Sequence, residues 1–434
     1  MDKMADVLGR AGAWCGQNKY LSAIKNAFQN FMPLTIAGAI GVLWCNVLVN
    51  DQTGLGLFFK PIMALDFLNP AFQAVNFCTI SCITVGITLG IAQEIGVWNM
   101  GAERAGYIPG LVGLAAWLSV TNTSHMVDGA KEAFTGIAGN ELGATGLFTG
   151  MIIGVLSVEL FCFFEKQDAL KIKMPEQVPP GVARAFEVLV PATITLIITA
   201  CIGSACYNLT GLYLNDVIKN GIQGPLGAVG ATIPGVMIIY LVIMLFWLVG
   251  IHGNNMLSAV KEALFTPLAL ENVEAFNKGE TPKNIINMYA LQMWGEFGGS
   301  GVTIGLVIAI MIFSKREDNK AIATLSLVPG LFNINETVTF GIPMVLNPIL
   351  GIPFVVAPLV TIIIGYVLTV IGFCPVACLT VPWTTPPIVF GFLACGANVM
   401  GAVTQAILIV VSTVIYTPFL ISYEKYQNKQ AAEA

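Results

Sequence analysis

The sequence has 434 residues, 56% hydrophobic and 10% charged, with a formal net charge of −5 and a mean hydropathy of +0.78. So little polar surface cannot cover a soluble core of this length, and the composition predicts an all-α polytopic membrane protein. The thinly spread charge, with no basic patch interleaved with aromatics, sets nucleic acid aside as a partner, and no GxxxxGK[ST] loop is present for ATP.

Lys3, Arg10, Lys19 and Lys25 precede the first long apolar run, with no short apolar core and small-residue cleavage site, so a signal peptide is not expected. Apolar runs long enough to cross a bilayer fall near 31–50, 75–92, 107–125, 145–165, 188–207, 226–250, 301–314, 354–373 and 401–422, the 301–314 run being short. Six of the cysteines (Cys45, Cys78, Cys82, Cys162, Cys201 and Cys206) lie mostly inside such runs, with no CxxC spacing. They read as small buried hydrophobes. No cluster of Cys, His or carboxylates suggests a metal, and no cofactor is expected.

Loops rich in Lys and Arg stay in the cytoplasm. With the N-terminus inside, the loop carrying Lys166, Lys171, Lys173 and Arg184 follows four crossings and lands inside, leaving Lys60, Lys131 and Lys219 singly in outside loops. The cluster Lys315, Arg316 and Lys320 should also be inside, yet three plain crossings after Arg184 put it outside. One crossing is missing. The stretch 283–300, with Asn284, Asn287, Gln292, Trp294 and Glu296, is too polar to face lipid but suits a helix enclosed around a wet cavity, and supplies it. This predicts about ten crossings with both termini cytoplasmic. On that count 251–282 and 321–350 each begin and end in the cytoplasm. Both are interrupted by Gly or Pro (Gly253 and Pro267; Pro329, Gly330, Gly341 and Pro343), the mark of re-entrant hairpins that line a transporter's site.

The proline-rich stretch 174–187 is the clearest break, placing a boundary near Pro179 between halves 1–178 and 179–434. No compelling internal repeat crosses it.

From Ala321 to Tyr423 there is no Lys, Arg or Asp, and Glu336 is the only Glu. A lone carboxylate on a backbone broken by prolines is a functional candidate in a membrane protein, with a carboxylate held by its own hairpin's amides as the structural alternative. It can orient a hydroxyl and accept its proton. Of the two histidines, His252 lies where an apolar run gives way to Gly-Asn-Asn, and can donate to or accept from a hydroxyl; a helix-end histidine bonded to a carbonyl is the bland alternative. His125 falls at the outside edge. Glu296, in a glycine-rich stretch, suits either a ligand surface or close helix packing. Trp247, Trp294 and Trp383 lie nearest these motifs, where indoles stack on sugar faces or simply populate the membrane interface. Asn254, Asn255, Asn333 and Asn335 add neutral hydrogen-bonding groups suited to a polyhydroxyl ligand.

Gly-Ile-His252-Gly, followed by Phe332-Asn-Ile-Asn-Glu336, Phe340-Gly-Ile-Pro343 and Asn347-Pro348, resembles the sugar-translocating IIC component of the bacterial phosphotransferase system, in its lactose/cellobiose/N,N′-diacetylchitobiose family. The likeness takes in Ala23–Thr35 and the 174–182 stretch, and so nearly the whole chain. It departs at Thr337, where the family usually has Pro. The resemblance implies ten transmembrane helices, two re-entrant hairpins, and a homodimer formed through the N-terminal half. It implies an inner-membrane permease that imports a β-linked disaccharide and presents its 6-hydroxyl to a IIB subunit phosphorylated on cysteine. The chain is then the membrane subunit of a phosphotransferase that acts only with that partner. By similarity Glu336 holds and deprotonates the hydroxyl and His252 hydrogen-bonds the sugar; Asn254, Asn335, Trp247, Glu296 and Trp383 are the further substrate-binding candidates.

Two other classes fit the same residues. An ion-coupled secondary transporter would use Glu336 and His252 as a proton relay and accumulate unmodified substrate. A membrane-embedded enzyme would turn over in detergent with no partner.

Overall fold

The structure is a computed structural model that describes residues 10, 13–14, 17–51, 55–125, 134–175, 177–342 and 344–433, so Lys3, Lys131, Glu176 and Pro343 lie outside the described residues. The chain forms two compact units, one from Gln17–Gly38 and Ala74–Gly227, the other chiefly from Ala39–Gln73 and Ala228–Ala434. Among the described residues five helices are long and apolar enough to cross a membrane, or six if the segments on either side of Cys82 make one span, and three shorter apolar helices accompany them.

The first unit holds the start of α1 (Lys19–Leu43), then α2 (Ile83–Met100), α3 (Ile108–Val120), α4 (Ala144–Glu165) and α5 (Pro180–Thr210). Pro180 opens α5 where a missing N–H costs nothing, and Gly211, at φ 72°, closes it in the left-handed region. Ala116, Trp117 and Val120 of α3 pack on Ile153 of α4. Such helices carry apolar residues on every face because both lipid and neighbouring helices demand them. Ion pairs cluster at one end, where Arg104 and Arg184 share Glu165 and Glu187 and Lys19 pairs with Glu159 at 2.6 Å. The start of α1, the end of α4 and the start of α5 therefore share one end, as the basic loops of the sequence require. At the end of α3 a two-residue ladder pairs Ser124 with Thr135 and His125 with Phe134.

The second unit carries α6 (Ile233–Leu248), α7 (Ser258–Asn277), α8 (Met288–Gly295), α9 (Ile304–Phe313), α10 (Glu317–Leu331), α11 (Glu336–Gly341), α12 (Gly351–Val370), α13 (Val389–Ala394) and α14 (Val399–Glu433). Thr232 caps α6 by accepting from the Gly235 N–H. Asn287 caps α8 by accepting from Tyr289 and Ala290.

Residues 283–300, expected from charge parity to supply a further crossing, are not one continuous helix. With 8 residues α8 is about 12 Å long and with 10 residues α9 is about 15 Å, against a hydrocarbon core of about 30 Å. They are two pieces of a single run along α14. Met293 O accepts from Gln405 (3.3 Å), Gly301 O from Tyr416 (2.8 Å), and the Ser314 hydroxyl donates to Glu424.

The chain reverses at His252. Gly253 sits so close to the Ile243 carbonyl that a Cβ there would lie 2.0 Å from its oxygen, Lys261 returns to Tyr240, and Leu264 lies against Gly230. So α7 runs back along α6 toward the end where α6 began. There Asn272, with no exposure, donates to Asn284 O and Ala377 O and accepts from Lys283 and Asn284. The loop 278–287 thus lies at the opposite end of this unit from Ser314 and Glu424, and not beside them, where the sequence reading places the end of 251–282. The 321–350 hairpin enters from the Ser314 end, and the two tips meet.

Candidate functional site

The meeting point is built from chain reversals. After α6, Gly250 turns at φ 82° and His252 caps a single turn, Gly253–Met256, its Nδ1 accepting the Asn255 N–H at 3.2 Å. An imidazole that accepts at Nδ1 carries its proton on Nε2 when neutral. That Nε2 faces Glu336 Oε1 at 3.8 Å, too far for a direct hydrogen bond, with the two side chains 37% and 48% exposed. A hydroxyl oxygen placed about 2.8 Å from each would accept from the histidine and donate to the carboxylate. Glu336 stands in the first turn of α11, where the backbone N–H groups favour negative charge.

Both side chains reach into a cavity of about 330 Å³, within the range of small-molecule sites, whose wall includes Asn254, Gln292, Glu296, Asn335, Trp383 and Gln405. Three irregular segments hold the wall. Asn333, at φ 62°, accepts from Gly298 N (2.6 Å) and donates to Trp383 O (2.5 Å) and Thr385 O (3.0 Å), so one side chain joins all three. Asn335 donates to Ser300 O (2.8 Å) and Thr339 (3.1 Å). Gln405 accepts from Ile388 N and Gly391 N, both at 2.7 Å. Two glycines are required: at Gly299, φ 88°, a Cβ would stand 2.6 Å from Asn335, and at Gly301, φ 79°, 2.3 Å from Phe354. Val302 (φ 50°) and Ile388 (φ 76°) are β-branched residues in a region that disfavours them, and this strain borders the cavity. Neutral amides do the bonding here, which satisfies irregular backbone at membrane depth without burying charge.

Eight of the candidates singled out in the sequence therefore converge: Glu336, His252, Asn254, Asn255, Asn333, Asn335, Glu296 and Trp383. Their situations differ. Asn254 donates to Ser300 (2.9 Å) and keeps a buried Oδ1 without a partner, whereas Asn335 is 4% exposed with its amide committed to the wall. Trp383 is 44% exposed and lines the cavity. Trp247 does not line it: the indole is buried behind His252, ring centroids 4.4 Å apart, and meets Phe354 edge-on. Trp294 is buried against Gly365, and Asn255 supports His252 through its backbone. His125 lies in the other unit, beside Phe134. Three residues escaped sequence reasoning. Gln405 sits in an apolar helix with no motif around it; Lys261 and Tyr240, which bind Glu296, lie on two other helices. Gln292, read from the sequence as part of a polar stretch around a wet cavity, lines the cavity. Among the described residues no group of His, Cys, Asp or Glu is arranged to hold a metal ion.

A flat aromatic face, several neutral amides, and one imidazole opposite one carboxylate suit a neutral ligand rich in hydroxyls. The phosphotransferase system EIIC family model matches residues 25–358. The chain is similar to the oligo-beta-mannoside-specific EIIC component of Bacillus subtilis, 32% identical over 429 residues and covering 98% of this chain and 94% of the relative. It is also similar to the cellobiose-specific EIIC component of Lactococcus lactis, 30% identical over 98% of each. Among solved structures it resembles the transporter ChbC, the IIC component from the N,N′-diacetylchitobiose-specific phosphotransferase system, with a TM-score of 0.88, 30% identity and 97% of each chain covered. The matched length, the helical architecture and the apolar spans together place this chain in the phosphotransferase system EIIC family, as a multi-pass membrane protein of sugar transport.

Proposed function

We propose that the chain imports a β-linked disaccharide of the cellobiose or diacetylchitobiose type and presents its 6-hydroxyl, at the cytoplasmic face, to a phosphorylated IIB subunit. The observation that carries this is the 3.8 Å gap between His252 Nε2 and Glu336 Oε1 at the edge of the cavity. His252 donates to the hydroxyl oxygen, Glu336 accepts its proton as the oxygen attacks phosphorus and the S–P bond breaks to release the IIB cysteine thiolate, and Trp383 stacks on a pyranose face. Glu296 and Asn254 bind further hydroxyl or amide groups. Asn335 supports the wall, and Trp247 acts by fixing the His252 ring. Phosphorylation makes the step unidirectional, since a dianionic product is disfavoured beside Glu336 and cannot recross lipid.

The remaining features belong to the same proposal. The protein sits in the bacterial cytoplasmic membrane with both termini inside, supported by the basic loops. About ten transmembrane helices and two re-entrant hairpins complete the proposed topology. Residues 1–178 form a half that dimerises and 179–434 a half that carries the sugar.

The test is uptake of radiolabelled diacetylchitobiose and cellobiose into proteoliposomes, with and without phosphorylated IIB inside and with no ion gradient. Sugar recovered as its 6-phosphate only with IIB present is the expected result, and the two sugars are ranked by rate. Free sugar accumulating only under a proton gradient would overturn the proposal in favour of a proton relay through Glu336 and His252.

A further inference from the structure

Lys261 lies near the start of α7 with its side chain 7% exposed, pairing with Glu296, itself 16% exposed. Taking an ammonium group out of water costs several kcal/mol, and an apolar pair of the same shape serves stability as well or better. A buried pair in a cavity wall therefore calls for a reason beyond folding. The adjacent Glu262 is turned away, accepting from Thr266 at 2.5 Å. Tyr240, with no exposure, donates its hydroxyl to Glu296 at 2.7 Å. The ammonium and the phenol both bond the same oxygen, Oε1. The carboxylate is pinned by one corner while its residue lines the cavity.

We infer that Lys261 and Tyr240 are positioning residues that hold Glu296 with Oε2 turned to the ligand as a fixed acceptor. The inference rests on the cavity being the sugar site. Asn254 Oδ1 and Gln292 Oε1, on the same wall, are also buried acceptors without a partner. This side of the cavity thus demands donors. It takes a sugar that offers hydroxyl or acetamido N–H groups here and rejects one whose donors are capped, because each capped group leaves a buried acceptor unpaired.

The test measures sugar affinity by calorimetry, melting temperature, and phosphorylation kinetics with IIB for Lys261→Met, Lys261→Arg, Tyr240→Phe and the double variant Lys261→Met/Glu296→Gln. For Lys261→Met the expected result is a KM raised at least about tenfold with a much smaller fall in kcat, since a binding acceptor is displaced while Glu336 is untouched. Lys261→Arg should recover most of the affinity and Tyr240→Phe should lose part of it. The double variant, free of buried unpaired charge, should regain the melting temperature but not the affinity. Wild-type affinity in the double variant would overturn the inference, as would a Lys261→Met protein whose KM is unchanged. Trp383→Ala, run alongside, separates the two levels. If it weakens sugar binding while the Lys261 variants do not, only the positioning role fails; if it leaves affinity intact, the cavity is not the sugar site and both conclusions fall.

Discussion

Asn333 is the residue whose removal should show how the cavity wall is held. Its side chain makes three hydrogen bonds, from Gly298 N and to Trp383 O and Thr385 O. At about 0.5–1.5 kcal/mol each these amount to roughly 1.5–4.5 kcal/mol, and partial solvent access at the site favours the lower half, about 2 kcal/mol. Asn333→Gly removes the bonds and tolerates φ 62°. Asn333→Ala removes the same bonds and adds about 1–2 kcal/mol of left-handed strain, offset by the roughly 0.5–1 kcal/mol that glycine loses in backbone entropy. The alanine variant should therefore be the less stable by up to about 1.5 kcal/mol, and both should bind sugar at least about tenfold more weakly because Trp383 is released. Thermal unfolding in detergent and calorimetric titration with cellobiose or diacetylchitobiose read the two effects. If both variants match wild type in melting temperature and affinity, or if alanine is the more stable, the side chain does not tie the wall together.

Glu336→Gln keeps an acceptor but cannot take a proton, so phosphorylation at saturating sugar should fall by about 10²–10⁴-fold while binding is largely retained; near wild-type turnover would remove the base role. His252→Ala deletes the Nε2 donor and should weaken sugar binding by about 1–3 kcal/mol, measured by calorimetry, where an unchanged affinity would count against contact. Gly301→Ala places a Cβ 2.3 Å from Phe354 at φ 79°, and should cost about 2–4 kcal/mol from overpacking and strain together. A melting temperature equal to wild type would contradict that geometry.

What the sequence revealed about the site came from scarcity. Glu336 and His252 stood out because ionisable groups are rare in apolar runs, and their hairpins were marked by Gly and Pro. Lys261 carried no such mark. Next to Glu262 it resembles one more pair on a solvated helix face, and its partner Glu296 lies 35 residues away. Trp247 was a fair candidate for stacking, but proximity in sequence to His252 did not show which face of α6 turns inward. The stretch 283–300 makes a related point. Counting basic residues gives the side of each loop but not how the chain reached it, and a 16-residue α6 that turns back at His252 satisfies the same parity. The polarity of 283–300 has its own source, in Asn284 and Asn287 stitching a loop and Glu296 lining the cavity.

All the side chains that surround the cavity, from His252 to Gln405, belong to one of the two units. A site assembled across a seam must come apart whenever the seam opens, and its ligand changes partners at each stage. Here the sugar would travel as a passenger with its full set of bonds intact. The free-energy cost of crossing would then fall on the protein's contact with the bilayer rather than on its hold on the sugar, and the affinity measured from either side of the membrane should be nearly the same.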